Sequence, residues 1–267
     1  MPLAKAGQIE LSYDRAGEGP PLLLIMGMSG TKHHWGDAVL EDLRKDFEVI
    51  VYDHRDCGDS TKTGQPFTIA DLAGDAAGLL DALELESAHV MGISMGGMIA
   101  QELVLAHTEK VRALTLGCTY CGGEGSKLAS EATMRRLAEG MASGDRERAI
   151  RTAWEVNVSA AFAANEDIYA TFLARGMRYG VPVPVIMEQM RAITGHDTSE
   201  RLPEITAPTL VIHGTVDQLL PAENGHMIAG LIPGARLEIL EGIGHMFFLE
   251  EPAHTAKLVR EHALVNA

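Results

Sequence analysis

Ser94 lies in Gly92-Ile93-Ser94-Met95-Gly96, a G-x-S-x-G pentapeptide. The run before it, Ala88-His89-Val90-Met91, is short and apolar, as a buried strand is. After it, Met98, Ile99, Glu102, Leu103 and Ala106 recur at helical spacing. A serine between strand and helix sits on a sharp, strained bend with its hydroxyl raised above the sheet. Gly92 and Gly96 lack Cβ atoms and let the strand pass into the helix at close quarters, with Gly97 placed to help. The pentapeptide alone also fits a Gly/Ser turn with no chemistry. Its strand–turn–helix setting is what favours a nucleophile.

A serine hydroxyl is a weak nucleophile. It needs a base, and the base needs an orienting group. On an open sheet the chain order is serine, acid, histidine. Asp217, in His213-Gly214-Thr215-Val216-Asp217, follows the apolar run Thr209–Ile212, and His245, in Gly242-Ile243-Gly244-His245, follows Arg236–Leu240. In open α/β sheets ligands bind beyond the carboxyl ends of strands, where all three residues fall. Singly, an Asp after a strand is more often a turn residue, and a His among 11 is unremarkable. Their joint placement with Ser94 selects them. Gly117 to Gly123 holds no Asp or Glu, which closes the route to an acid after the preceding strand. Asp53 and Asp56 come too early in the chain, and Asp53 reads as a loop brace with Arg55. Acyl transfer also needs donors for a developing oxyanion. The backbone N–H of Met95 is one, and the loop Met26-Gly27-Met28-Ser29-Gly30 offers Met28 N–H as the other.

Such groups need a sheet to hold them. Gln8 to Arg15 alternates like a surface hairpin, while Pro21–Met26, Val49–Tyr52 and Ala113–Leu116 are continuous apolar runs typical of buried parallel strands. Trp35 to Lys45 reads as a helix, and Ile69 to Leu83 keeps an i, i+3, i+4, i+7 rhythm. Strands alternating with helices imply an α/β fold, a mostly parallel sheet covered on both faces. From Thr119 to Arg201 no strand is evident. Helices are expected at Ser126–Met141, Arg146–Val156, Ala160–Arg175 and Val183–Ile193. Strand and helix resume at Thr209, and Pro252 opens a last helix. The division is a core of 1–118 with 202–267, and an inserted helical cap of 119–201. Trp154, Met177 and Met187 of the cap, with Gly27 and Met246, are expected at an apolar pocket. The competing use of such residues is to pack the cap's own core.

The bulk properties exclude other classes. A chain of 267 residues needs no staple to bury a core. A net charge of −15 argues against nucleic acid and anionic membrane surfaces as partners. No apolar run reaches the ~20 residues of a membrane span, and the N-terminus lacks the apolar stretch of a signal peptide. With 3 cysteines, an odd count, a reducing cytoplasm is expected. Cys118 and Cys121 form C-x-x-C with no second ligand pair for zinc, so ordinary thiols are expected, with a labile disulfide as the alternative. No H-E-x-x-H, P-loop or G-x-G-x-x-G occurs, and neither metal nor cofactor is expected.

The segments Leu22–Met28, Tyr52-Asp53-His54-Arg55, Gly92–Gly97, His213–Asp217 and Gly242–His245 together resemble the α/β-hydrolases, in particular the capped esterases and lactonases. The resemblance covers nearly everything except the cap. It implies Ser94 as nucleophile, His245 as base, Asp217 as its partner, and Met28 and Met95 as oxyanion donors. Met26-Gly27 stands where most relatives carry His-Gly, which is similar to methylesterases acting on aromatic polyketides. The Ser94 segment and the tail are also similar to 3-oxoadipate enol-lactonases. The expected activity is cofactor-free hydrolysis of small to medium carboxylic esters. Enol-lactone hydrolysis and perhydrolase or non-haem haloperoxidase activity are alternatives with the same triad. A non-catalytic small-molecule receptor on the same fold is the alternative of another class. A carboxylated substrate would want a cation from Arg175, Arg178 or Arg191. Homo-oligomers remain open.

Overall fold

The structure is a computed structural model that describes residues 2–266. The chain starts with an antiparallel pair, β1 (Leu3–Ala6) and β2 (Ile9–Ala16). Then follow β3 (Pro21–Ile25), α1 (Asp37–Leu43), β4 (Glu48–Tyr52), α2 (Ile69–Ala82), β5 (Ala88–Ile93), α3 (Met95–Ala106) and β6 (Val111–Gly117). Five helices come next: α4 (Glu131–Ala142), α5 (Arg146–Asn157), α6 (Ala160–Ala163), α7 (Glu166–Tyr179) and α8 (Val183–Thr194). The sheet resumes with β7 (Thr209–Gly214), α9 (Glu223–Leu231), β8 (Arg236–Leu240), α10 (Phe247–Glu250) and α11 (Pro252–Leu264).

The eight strands form one sheet in the order β1-β2-β4-β3-β5-β6-β7-β8. From β4 to β8 every neighbouring pair is parallel. Alternate side chains serve opposite faces, the period-2 rule of a strand. Leu23, Ile25, Ile50, Val90, Leu114 and Val211 join the core under α2, α3 and α9. Leu22, Leu24, Val49, Val51, Met91 and Ile212 join the core under α1 and α11. Two buried faces explain why these strands read as unbroken apolar runs.

Helices α4 to α8 form the inserted cap. Both its ends sink into the core, where Tyr120, Cys121 and Ala192 join the cluster beneath α2 and α3. Two expected helices change shape. The first begins at Glu131 rather than Ser126, because Ser130 caps it by accepting from Thr133 N at 3.2 Å. The expected Ala160–Arg175 helix divides into α6 and α7. Asn165 is the reason: its Oδ1 accepts from Ile168 N at 3.2 Å and starts a new helix, as asparagine at an N-cap does.

Candidate active site

Ser94 is the N-cap of α3, with φ 53° and ψ −124°. Few non-glycine residues tolerate that backbone, and such strain gathers at functional sites. The surroundings hold it there. Ser94 N donates to Gly117 O at 2.9 Å, and Thr119 Oγ1 donates to Ser94 O at 2.7 Å. A Cβ on Gly96 would collide with the Ile25 carbonyl, and one on Gly92 with the Gly96 carbonyl, so β5 and α3 meet only as glycines allow. Gly27 is the nearest backbone across the bend: a Cβ there would stand 3.1 Å from Ser94 Cβ. The serine is half-buried.

Asp217 and His245 come together. His245 Nδ1 donates to Asp217 Oδ2 at 2.7 Å, and both side chains are buried. The other carboxylate oxygen accepts from Leu219 N at 2.8 Å and Leu220 N at 3.0 Å. His213 Nε2 donates to Leu220 O at 2.7 Å and lies 3.4 Å from Asp217 Oδ2. Burial alone would raise the Asp217 carboxyl, but the facing His245 and His213 and their hydrogen bonds hold it well below the usual carboxylate range. The buried acid is therefore an anion that fixes the proton of His245 on Nδ1 and leaves Nε2 free to accept. Among the described residues Ser94 Oγ donates no hydrogen bond, a looseness common before substrate binds.

The chain around His245 is tied to the cap through Glu250 of α10 and directly at Met246. Gly244 N donates to Glu250 Oε1 at 2.8 Å, and the same carboxylate accepts from Ser159 N at 2.9 Å and from Ser159 Oγ. Met246 N donates to Asn157 O at 2.8 Å. Asn157-Val158-Ser159 is thus a structural joint.

The two expected oxyanion donors are unspent. Met95 opens α3, so its N–H has no intrahelical acceptor. Met28 N makes no hydrogen bond among the described residues. The loop carrying Met28 is braced by Tyr52-Asp53-His54-Arg55, though not as expected. Asp53 accepts from Lys32 N at 2.9 Å and Asp59 N at 3.2 Å, whereas Arg55 pairs with Asp75 at 2.6 Å. Arg55 follows α2 because the Asp75 fork is nearly buried there. His54 Nε2 donates to Met26 O at 2.9 Å.

The expected pocket residues separate. Trp154 is 0% exposed; its Nε1 donates to Ala163 O at 3.2 Å and its ring packs on Phe162, Tyr169 and Phe172. It is the centre of the cap's own core and not a pocket wall, because a large ring with one donor is best buried where a carbonyl meets it. Met177 and Met187 are 46% and 57% exposed. Met246 is half-buried between the cap core and the α1/α11 core. Arg175 pairs with Asp37, and Arg191 with Glu188, while Arg178 makes no ion pair among the described residues and lies over the Tyr179 ring, 5.0 Å from its centroid.

All three cysteines are free and buried. Cys118 is the surprise: its Sγ, Asp217 and His245 lie within 4.8 Å of one another, the one such group among the described residues. Burial, then the Asp217 charge, push the thiol well above its ordinary pKa, so it stays protonated. Two of the three donors are bonded to each other at 2.7 Å, closer than the ~3.3 Å separating ligands around tetrahedral zinc. C-x-x-C gave no hint of this neighbour. Glu250 and Gln189 were equally invisible, since their partners lie 91 and 160 residues away.

Residues 20–252 match the family model of the alpha/beta hydrolase fold. The chain is 30% identical over 252 residues to RutD of Azorhizobium caulinodans, a candidate carbamate hydrolase by name, covering 94% of each. It is 30% identical over 252 residues to the rhodomycin D methylesterase DnrP of Streptomyces peucetius, covering 84% of each. Its structure superposes on the enol-lactonase of Burkholderia xenovorans LB400 with a TM-score of 0.85 at 25% identity, covering 98% of this chain and 100% of that one. The chain belongs to the α/β-hydrolase fold family. Within it, this protein is a hydrolase whose relatives are named as a candidate carbamate hydrolase, a methylesterase and an enol-lactonase.

Proposed function

We propose that the protein hydrolyses small to medium, largely uncharged carboxylic esters through an acyl-enzyme on Ser94. The observation that carries the reading is the buried 2.7 Å His245–Asp217 pair, together with a serine on a strained bend at the end of β5. Ser94 Oγ attacks the ester carbonyl while His245 Nε2 takes its proton. The tetrahedral oxyanion is received by Met28 N–H and Met95 N–H. His245 then protonates the leaving alcohol, and a water activated by the same nitrogen cleaves the acyl-enzyme. Asp217 orients the imidazole and stabilises the imidazolium. No metal or cofactor enters the scheme.

The pairing of Arg175 and Arg191 with acids supports neutral substrates over carboxylated lactones and leaves Arg178, over the Tyr179 ring, as the one candidate cation of the three for a carboxylate. Gly27 against Ser94, and Met246 beside His245, are the pocket contacts the reading retains. Three unpaired cysteines support a reducing, cytoplasmic setting. The test uses short-chain aryl esters with wild type and Ser94→Ala, and a carboxylated enol-lactone as competitor. Loss of turnover in Ser94→Ala with preference for the neutral ester is expected. Undiminished turnover in Ser94→Ala would remove Ser94 as the nucleophile, and no turnover together with no fluorophosphonate adduct on Ser94 would favour the receptor reading instead.

A further inference from the structure

Gln189 is a polar residue on the inward face of cap helix α8, and it is 0% exposed. Its amide is used at both ends by the core. Oε1 accepts from Ser29 N at 2.9 Å, and Nε2 donates to Cys57 Sγ at 3.4 Å. The residues around it fasten α8 to the core as well: Glu188 Oε1 accepts from Phe67 N at 2.9 Å, and Arg191 donates to Phe67 O at 2.6 Å. The amide is therefore delivered to Ser29 by a helix docked on both sides of it.

Ser29 is where that matters. Gly30 N donates to Gly27 O at 3.3 Å, closing a four-residue turn whose central residues are Met28 and Ser29. Ser29 has φ 59°, so the turn is of the type II sense, which normally wants glycine at that place. The competing type I sense keeps the same closing bond, relaxes Ser29 to negative φ and rotates the Met28–Ser29 peptide by about half a turn. Only the observed sense aims Ser29 N at Gln189. The Met28 N–H that the proposed mechanism uses belongs to the neighbouring Gly27–Met28 peptide and keeps its place in such a flip, while the Met28 carbonyl and Ser29 N–H dipole beside it is reversed.

We infer that Gln189 is a positioning residue: the cap, through this one buried amide, selects the active sense of the oxyanion turn. The inference rests on the hydrolase reading above. It makes the cap part of the catalytic geometry as well as a cover over the substrate.

Gln189→Met keeps length and apolar volume but offers only a weakly accepting sulfur in place of the amide oxygen. In the full-length protein kcat falls about tenfold to a hundredfold, short of the ~100- to 1,000-fold of deleting an oxyanion donor. KM changes less than about threefold, and the rate of fluorophosphonate labelling of Ser94 falls with kcat. Adding Ser29→Gly, judged against Ser29→Gly alone, restores most of kcat without restoring the melting temperature, because glycine takes positive φ without strain. Ser29→Pro, which can neither donate nor take positive φ, repeats the loss while leaving α8 untouched. Full activity of Gln189→Met or Ser29→Pro, a loss carried by KM, or no recovery with Ser29→Gly overturns the assignment. A Ser94→Ala protein that still turns over substrate defeats the hydrolase reading itself. A dead Ser94→Ala with a fully active Gln189→Met defeats only the role of Gln189.

Discussion

Sheet and cap are both made of apolar stripes, yet they bury them very differently. Every residue of β5 is buried, and α3 buries nine of its twelve residues. In the cap, α4 buries only Gly140, α7 only Tyr169, and α8 only Gln189 and Ala192. The cap's private core is small, centred on Trp154, Val158 and Tyr169. Beyond the apolar ends at Tyr120, Cys121 and Ala192 and the packing of Met246 and Leu249, polar contacts fix the cap to the sheet, among them Gln189 to Ser29, Ser159 to Glu250, Arg191 to Phe67 and Arg175 to Asp37. The difference separates two kinds of precision. The core holds the catalytic groups by close packing and by hydrogen bonds among its own strand ends, while the cap reaches them by a few directional bonds that one substitution can remove. Segments with few buried contacts open at lower free energy than the fold as a whole.

The largest effect expected on the core side is chemical. Asp217→Asn should lower kcat about ten-thousandfold, because an amide can donate to Nδ1 and so favours the wrong imidazole tautomer. Steady-state kinetics with an aryl ester check it. A loss below about tenfold would mean that His245 does not depend on Asp217, and would erase the contrast between a fixed core and an adjustable cap.

On the cap side the counterpart is Trp154→Ala. Removing a fully buried Trp costs about 3–5 kcal/mol where the site cannot collapse. Since Val158 and Tyr169 are its few buried partners, that loss exceeds what the cap core can supply. The cap should loosen while the sheet stays folded. Limited proteolysis should then cut between 131 and 194 first, with the sheet's cooperative melt preserved. One cooperative loss of the whole fold would show that cap and core are a single unit.

The way these parts were or were not foreseeable follows the same division. Ser94, Asp217 and His245 each follow a buried strand, so local pattern and chain order located them, and the glycines beside Ser94 carried their steric reason in the sequence. Trp154 fits either use in the sequence, because an aromatic at helical spacing looks the same whether it faces a ligand or its own neighbours, and the fold gives it the second. Asn165 divides a helix that periodicity alone extends through it. Gln189, Glu250 and Cys118 depend on partners distant in the chain, and only the folded topology makes those distances short. Gln189 did leave one trace, a polar residue three positions before Ala192 on the buried stripe of α8.

A pH titration sharpens the comparison from the sheet's side. His89 on β5 is buried and neither ring nitrogen has a partner. Burial, then the charges of Arg112 and His262, lower its pKa from 6.5 to about 4. His34 and His196 are likewise lowered to about 4, mainly by burial. The unfolded chain thus takes up protons at pH 6.5 that the native one refuses until about 4. Stability is full above pH 6.5 and falls as pH drops through that window. His89→Leu should flatten the fall by about 3 kcal/mol between the two limits, read from urea midpoints at several pH values. An unchanged slope would place the acid sensitivity elsewhere, in His34 and His196.

The smallest expected effect sets one glycine of the sheet region against one of the cap. At Gly96 an alanine Cβ meets the backbone carbonyls of Ile25 and Met26, which the sheet cannot move, so Gly96→Ala should abolish folding or activity. At Gly140 the nearest atoms are the Thr152 side chain, with Oγ1 at 3.1 Å, which need give way by only a few tenths of an ångström. Gly140 lies inside α4, where alanine is favoured over glycine by about 1 kcal/mol. The two terms nearly cancel, and Gly140→Ala should leave kcat unchanged and move the melting temperature by no more than a few degrees in either direction. A strong destabilisation there would mean that the cap is packed as rigidly as the sheet, and its polar contacts to Ser29 and Glu250 would then be consequences of that packing rather than its cause.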